Sequence, residues 1–96
     1  MDIIFIRPTR IEDCTKCVAN IKENKMVHID LGRIEPEKAQ RILDYISGAV
    51  FMQDGQIVNP AENVFCTIPK GVTYTTDYKN TTPPVSDEEE EIVPVR

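Results

Sequence analysis

Cysteine and histidine are the residue types in this chain of 96 residues that could support redox or metal chemistry. Cys14 and Cys17 form a C-x-x-C pair, and Cys66 with His28 could complete four zinc ligands. A redox nucleophile lies in the first turn of its helix, where the dipole lowers the thiol pKa, but Thr9 is the predicted cap and Cys14 follows five positions later. Cys14 also belongs to that helix's apolar stripe, so we expect structural cysteines. The redox and zinc interpretations remain alternatives.

The remaining titratable groups form no recognisable catalytic set. Asp2, Asp30, Glu35 and Glu37 could supply an acid/base pair, but scattered carboxylates occur in any acidic protein. No phosphate loop or glycine-rich nucleotide fingerprint is present in the sequence, and His28 is predicted to be a partly exposed strand residue. We therefore expect no catalysis, no cofactor and no metal.

Charge is distributed unevenly along the chain, whose net charge is −5. Residues 75–96 hold six acidic and two basic residues, whereas the nine bases of residues 1–74 are balanced by ten scattered acids. Nucleic-acid binding needs clustered bases, so we expect no nucleic-acid partner. Three cysteines, no apolar run long enough to span a bilayer and no signal peptide predict a soluble cytoplasmic protein with free thiols.

The first half of the chain predicts a strand, a helix and a second strand. The apolar run Ile3–Ile6 is typical of a strand buried on both faces inside a sheet. Thr9 followed by Glu12 predicts a capping box that opens a helix ending near Asn24. In residues 26–31, apolar and polar side chains alternate with the period of a half-buried strand.

The second half predicts another helix and several strands. Pro36 is suited to the first helical position, and Gly48 is the predicted left-handed cap that ends the helix. The pair Asp54-Gly55 predicts a tight hairpin between strands 49–53 and 56–59. A turn at residues 59–63, a strand at 64–68 and a short edge strand at 72–74 complete the prediction.

Together these elements predict one α/β domain over residues 1–74. Its fold is a compact two-layer sandwich, with two helices on one face of a four- to five-stranded sheet, and it dimerises. We expect Phe51 and Phe65 to share the helix-free face and to make it an interface. Residues 75–96 are predicted to be a disordered, solubilising acidic tail. An alternative is that the apolar tip at residues 92–96 occupies a groove of the domain.

An ordered set of residues in the segment 39–69 resembles the core domain of the cell division protein SepF. The set comprises Arg41, Ile42, Asp44, Tyr45, Ser47, Gly48, Val50, Phe51, Gly55, Ile57 and Phe65 through Pro69. The upstream segment 3–39 matches the strand, helix, strand and second helix start of that family. SepF-type proteins are adaptors for the tubulin-like division GTPase FtsZ. The resemblance implies an adaptor that self-associates and binds the C-terminal peptide of FtsZ to organise or tether division filaments.

The resemblance also implies where binding occurs. The helix end at Ser47 and Gly48, with Phe51, would mediate self-association, and we expect a bulky residue at Gly48 to harm association more than folding. The FtsZ peptide would lie in a groove between the second helix and the hairpin. Its apolar anchors would be Tyr45, Phe51, Ile57 and Phe65, and Lys38 and Arg41 would pair with acids in the peptide.

One departure from the family concerns the membrane. SepF-type proteins usually carry an amphipathic membrane-targeting helix and a linker ahead of this domain, whereas here Met1 directly precedes the first strand. We therefore expect no direct membrane anchor in this chain, which would reach the division site through partners, either as a truncated form or as a paralogue. The alternative function is a small metabolite-sensing regulatory α/β dimer.

Overall fold

The computed structural model describes residues 1–77, which form two helices packed on one face of a four-stranded sheet. This confirms the predicted two-layer α/β sandwich. The elements are β1 (Ile3–Ile6), a 3-10 turn (Ile11–Asp13), α1 (Cys14–Lys22), β2 (Met26–Asp30), α2 (Pro36–Met52), β3 (Gln56–Ala61) and β4 (Val64–Ile68). Residues 72–74 form no strand. The predicted disordered tail lies outside the described residues from position 78 onward.

The strand order is β1-β2-β4-β3, with β1 parallel to β2 and the other neighbours antiparallel. The position predicted for β1, inside the sheet, is therefore wrong, because β1 is an edge strand. An apolar run can have the same composition in a central strand and in an edge strand, so composition does not distinguish the two. The alternation predicted for β2 is confirmed, since Val27 and Ile29 are buried while the residues between them are only half-buried.

The N-terminal end of the first helix is capped differently from the prediction. Asp13, rather than Glu12, accepts hydrogen bonds at Oδ2 from the backbone N–H groups of Thr9 (2.9 Å) and Arg10 (3.3 Å). The Thr9 amide is the largest of the influences that hold the pKa of the Asp13 carboxyl below its usual range. A 3-10 turn precedes the α-helix. The side-chain acceptor that caps this helical segment, Asp13, therefore lies one residue later than the capping-box pattern places it.

The second helix is longer than predicted, because α2 continues through Gly48 to Met52. The predicted cap at Gly48 and the predicted hairpin at residues 54–55 are both wrong. Asp54 adopts a left-handed conformation (φ 60°), and the Gly55 N–H bonds to the Val50 carbonyl (2.9 Å), which ends the helix. The Asp-Gly pair thus forms a helix-to-strand turn. Such a turn favours residues that tolerate a left-handed backbone, as a tight hairpin does.

The actual hairpin joins β3 to β4 at Glu62 and Asn63, where Asn63 has a positive φ of 64°. The turn predicted at residues 59–63 begins too early, because Pro60 lies within β3. Proline is tolerated there because β3 is an edge strand with a bulge between Val58 and Ala61.

The core lies between the sheet and the helices. Its buried members are Cys14, Cys17, Ile21, Val27, Ile29, Leu31, Ile42, Ile46 and Val50. Phe65 is opposite the buried Ile29 in the β2–β4 register and packs against this core, so it lies on the helix side of the sheet. Phe51 belongs to α2. The expectation that Phe51 and Phe65 share the helix-free face is therefore wrong.

The helix-free face is formed by other residues. The register places Phe5, His28, Cys66 and Val58 in one row across all four strands. The Phe5 ring contacts the His28 ring, with centroids 4.9 Å apart. A largely apolar sheet face is thus present, although its residues are not those expected from the sequence.

A candidate interaction surface on the second helix

The solvent-facing side of α2 carries a partly apolar surface. Arg41, Tyr45, Gly48 and Met52 recur at helical spacing on the side opposite the buried Ile42, Ile46 and Val50, and all four are exposed. We call these four residues the α2 outer face. Packing of the buried side of the same helix against the core fixes the orientation of the helix. The side chains of the α2 outer face therefore take no part in the core.

Large apolar side chains are unusually exposed on and beside the α2 outer face. Tyr45 is 57% exposed, Phe51 66% and Met52 78%. Full burial of such a side chain stabilises a complex by about 1.5–3 kcal/mol, so a partner that covers them gains substantially. This concentration within two turns of one helix indicates an interaction surface.

Polar groups lie toward the N-terminal half of the helix. Arg41, Asp44 and Tyr45 line a shallow depression, and the Asp44 carboxylate accepts a hydrogen bond from the Gln40 amide (2.9 Å). Lys38, one turn earlier, is exposed. The surface therefore combines mixed charge near its start, where Lys38 and Arg41 lie beside Asp44, with apolar side chains near its end. This combination suits an extended or helical peptide that carries both apolar and charged side chains.

Gly48 lies in the middle of the α2 outer face, in regular helix. Apart from its chain neighbours and the backbone of its own helix, a Cβ added at this position would meet no atom of residues 1–77 within 4 Å. The isolated domain therefore has no packing requirement for glycine here, although glycine inside a helix costs roughly 0.5–1 kcal/mol relative to alanine. The absence of a side chain leaves the helix backbone open to close approach by a partner.

Ser47 differs from its neighbour, because it is buried and does not contribute to the outer surface. Its hydroxyl oxygen has no hydrogen-bond partner among the described residues. Ser47 thus lies beneath the outer face, and its expected part in self-association stays a prediction.

The six residues expected to bind a peptide fall into two groups. Lys38, Arg41, Tyr45 and Phe51 are exposed on α2. Ile57 and Phe65 are half-buried and pack against the core from the sheet. The structure also adds Met52, which sequence analysis missed because residues 49–53 were assigned to a strand. The repeat 41, 45, 48, 52 was the signal that could have revealed it.

The cysteines are placed as structural residues. Cys14 and Cys17 are buried in the core, and burial raises the pKa of the Cys17 thiol to about 11. Burial also raises the pKa of Cys66. A raised pKa keeps a thiol protonated and unreactive at neutral pH, whereas redox cysteines have lowered values.

Other kinds of site find little support in residues 1–77. No group of three or more His, Cys, Asp or Glu side chains in this part of the chain could hold a metal ion. A cavity beside Val50 and Gly55 has a volume of about 10 Å³, which is near the minimum for one water molecule. None of the helices in the same range has the length and apolar character needed to cross a membrane.

Comparisons with known proteins agree on one family. The family model described as "Cell division protein SepF" matches residues 3–73. The protein named "Cell division protein SepF" from Alkaliphilus oremlandii is 33% identical over 72 residues, which are 75% of this chain and 49% of that protein. "Cell division protein SepF 2" from Desulforamulus reducens is 36% identical over 70 residues, covering 73% of this chain and 44% of that protein. The chain thus spans about half the length of these relatives.

A solved structure supports the same fold. The "SepF-like protein from Archaeoglobus fulgidus" superposes with a TM-score of 0.72, covering 84% of this chain and 100% of that one. Its sequence identity is 18%, so this likeness concerns the fold alone.

Proposed function

The chain belongs to the SepF family of cell division proteins, and from this premise we propose that it is a non-enzymatic adaptor that binds the C-terminal peptide of FtsZ. In this proposal the domain also self-associates. It organises or tethers division filaments in the cytoplasm, and it reaches the division site through its partners. The observation that carries the proposal is the α2 outer face, where exposed apolar side chains surround a glycine that the monomer does not need.

The proposed peptide site uses the exposed residues of α2. Tyr45 and Phe51 act as apolar anchors, and Lys38 and Arg41 attract acidic peptide residues. The half-buried Ile57 and Phe65 support the surface from the sheet side. Their position is a reason to expect smaller direct losses of affinity from them than from the exposed anchors.

The proposed self-association uses the middle of the same helix. Gly48 allows two helices to approach closely, and Phe51 adds apolar area beside it. A single contact made by so few side chains is weak. Repetition along a filament raises overall affinity through effective concentration, so the adaptor works by avidity and needs no chemical step.

Calorimetric titration with the C-terminal peptide of the host's FtsZ tests the proposal. Phe51→Ala and Tyr45→Ala should each weaken binding by about 10-fold or more. Phe5→Ala is the matched control, because Phe5 is similarly exposed (72%) but belongs to β1 on the helix-free face. Equal losses in Phe5→Ala and Phe51→Ala, or no binding at millimolar peptide by the wild-type chain, would refute the proposed site.

A further inference from the structure

A short segment outside the described residues combines charged and apolar side chains, the mixture for which the α2 outer face is suited. Residues 87–91 are five consecutive acids, and Ile92, Val93 and Val95 follow them around Pro94. A tail that only solubilises the domain does not need three β-branched apolar residues directly after its acids. Pro94 disfavours helical backbone at the residue before it, so the segment is suited to bind in an extended conformation.

The chain leaves the sheet beside the C-terminal end of α2. Pro69, which follows β4, lines the same small cavity as Val50 of the helix. Lys70 Nζ lies 3.9 Å from Oδ2 of Asp54, at the turn that ends the helix. The polypeptide that leads to the acidic segment therefore starts near the end of α2 that exposes Met52.

The length of the chain beyond the described residues permits the segment to reach any part of α2. Residues 77 to 92 span up to about 50 Å when extended. The longest dimension of the domain is 32 Å. A tether of this length gives an effective concentration of roughly 1 mM. A contact with a Kd of only about 0.3 mM would then be occupied in about three-quarters of the chains.

We propose that residues 87–96 bind the α2 outer face of their own chain. Their apolar residues cover the exposed Phe51 and Met52, and their acids lie toward Lys38 and Arg41. The segment thereby competes with any peptide that binds the same face. This competition rests on the proposed function, because it needs a peptide that uses α2, whereas the contact itself does not.

The geometry of the helix favours this orientation. Side-chain charge in the first half of α2 is mixed, because Asp44 lies beside Lys38 and Arg41, so it does not set the orientation by itself. The helix dipole favours acids at the N-terminal end and a cation, here Arg96, at the C-terminal end. The helix rises about 16 Å from Arg41 to Met52. An extended chain covers about 10–20 Å between the middle of the acidic run and the apolar residues, so both reach their ends of the surface together.

Amide chemical shifts of the isotope-labelled 96-residue chain test the contact without any division protein. The double variant Ile92→Ser with Val93→Ser removes apolar side chains of the segment, so the amides of residues 41–52 should shift relative to wild type. Val85→Ser is the matched control, because it changes an apolar residue outside residues 87–96, and it should leave the α2 shifts unchanged. Identical α2 shifts in wild type and in the double variant would overturn the contact.

A second addition and a dilution identify the chain that supplies the segment. A synthetic peptide of residues 86–96, added at millimolar concentration to the double variant, should restore the wild-type α2 shifts. In the wild type itself, binding within one chain makes these shifts independent of protein concentration. Loss of the difference between wild type and double variant on dilution would overturn the proposal, because the segment would then come from a second copy.

Calorimetric titration with the C-terminal peptide of the host's FtsZ measures the competition. With the occupancy given above, the double variant should bind this peptide about 4-fold more tightly than wild type, and Val85→Ser should bind it as wild type does. Equal affinities in wild type and the double variant would overturn the competition. A chain that shows the α2 shift difference but binds no FtsZ peptide in either form would refute the proposed function and leave the contact in place.

Discussion

Replacing Gly48 with alanine should stabilise the monomer, although this glycine lies at the centre of the proposed interaction surface. The position is regular helix and is exposed, and an added Cβ would meet nothing within 4 Å in residues 1–77 beyond the chain neighbours and the helix's own backbone. Alanine then gains only the difference in helix propensity, about 0.8–1 kcal/mol. For a domain of this size, that corresponds to a rise in Tm of roughly 4–8 °C.

Urea unfolding followed by circular dichroism measures this effect, at a concentration low enough to dissociate oligomers. Gly55→Ala is the matched control with the opposite expected sign. A Cβ at Gly55 would lie 2.7 Å from the Ile68 carbonyl oxygen and 3.1 Å from Val50 Cγ1, so the variant should lose about 1–3 kcal/mol.

The sign of the Gly48→Ala effect decides between two structures. If Gly48 were a left-handed cap, as the sequence pattern predicts, alanine would be strained there and would lower stability by about 1 kcal/mol. A decrease in the free energy of unfolding for Gly48→Ala would therefore refute the continuous α2 helix and the surface built on it.

Further predictions concern buried and paired groups. Ser47→Ala should raise the free energy of unfolding by up to about 1 kcal/mol in the same urea assay, since it removes a buried hydroxyl that has no partner within residues 1–77 and improves helix propensity. Because the folded pKa of Cys17, about 11, lies above the ordinary 9.0, its contribution is complete below pH 9 and is lost as pH rises toward 11. Urea unfolding across this range should show a steeper alkaline decline for wild type than for Cys17→Val, by roughly 2–3 kcal/mol in total; equal slopes would contradict this. The Gly32 N–H and then Arg7 lower the pKa of Asp30, so its contribution is present above about pH 4 and lost as pH falls through the lowered value. Asp30→Asn should consequently show a shallower loss of stability between pH 5 and pH 2, and an unchanged acid profile would contradict the pairing.

Much of the fold could be predicted from periodicity. The alternation in β2, the apolar stripes of both helices and the start of α2 at Pro36 each depend on local pattern, and the structure confirms them. The end of α2 could not be predicted from the positions of glycine and turn residues alone. Gly48 and the pair Asp54-Gly55 both permit left-handed backbone, and only packing of Val50 into the core shows that the helix continues past the first glycine.

The strand positions show a second limit of sequence analysis. The apolar run at Ile3–Ile6 fits a central strand, yet pairing places it at an edge. The pairing register of the strands determines which face of the sheet each strand side chain occupies. That register depends on where the β3–β4 hairpin turns. That turn lies at Glu62 and Asn63, later than the sequence prediction. Helical spacing alone determines the side of α2 on which Tyr45 lies, and the structure leaves its side chain 57% exposed there.

The central claim is that a division-protein peptide binds along α2, and amide chemical-shift mapping tests it most directly. The isotope-labelled 96-residue chain would be titrated with the C-terminal peptide of the host's FtsZ. We expect saturable shifts concentrated at Arg41 through Met52 and at the supporting Ile57, with the β1 amides of Ile3 and Phe5 unchanged at constant protein concentration. Shifts centred on β1 and the helix-free face, with α2 unaffected, would contradict it.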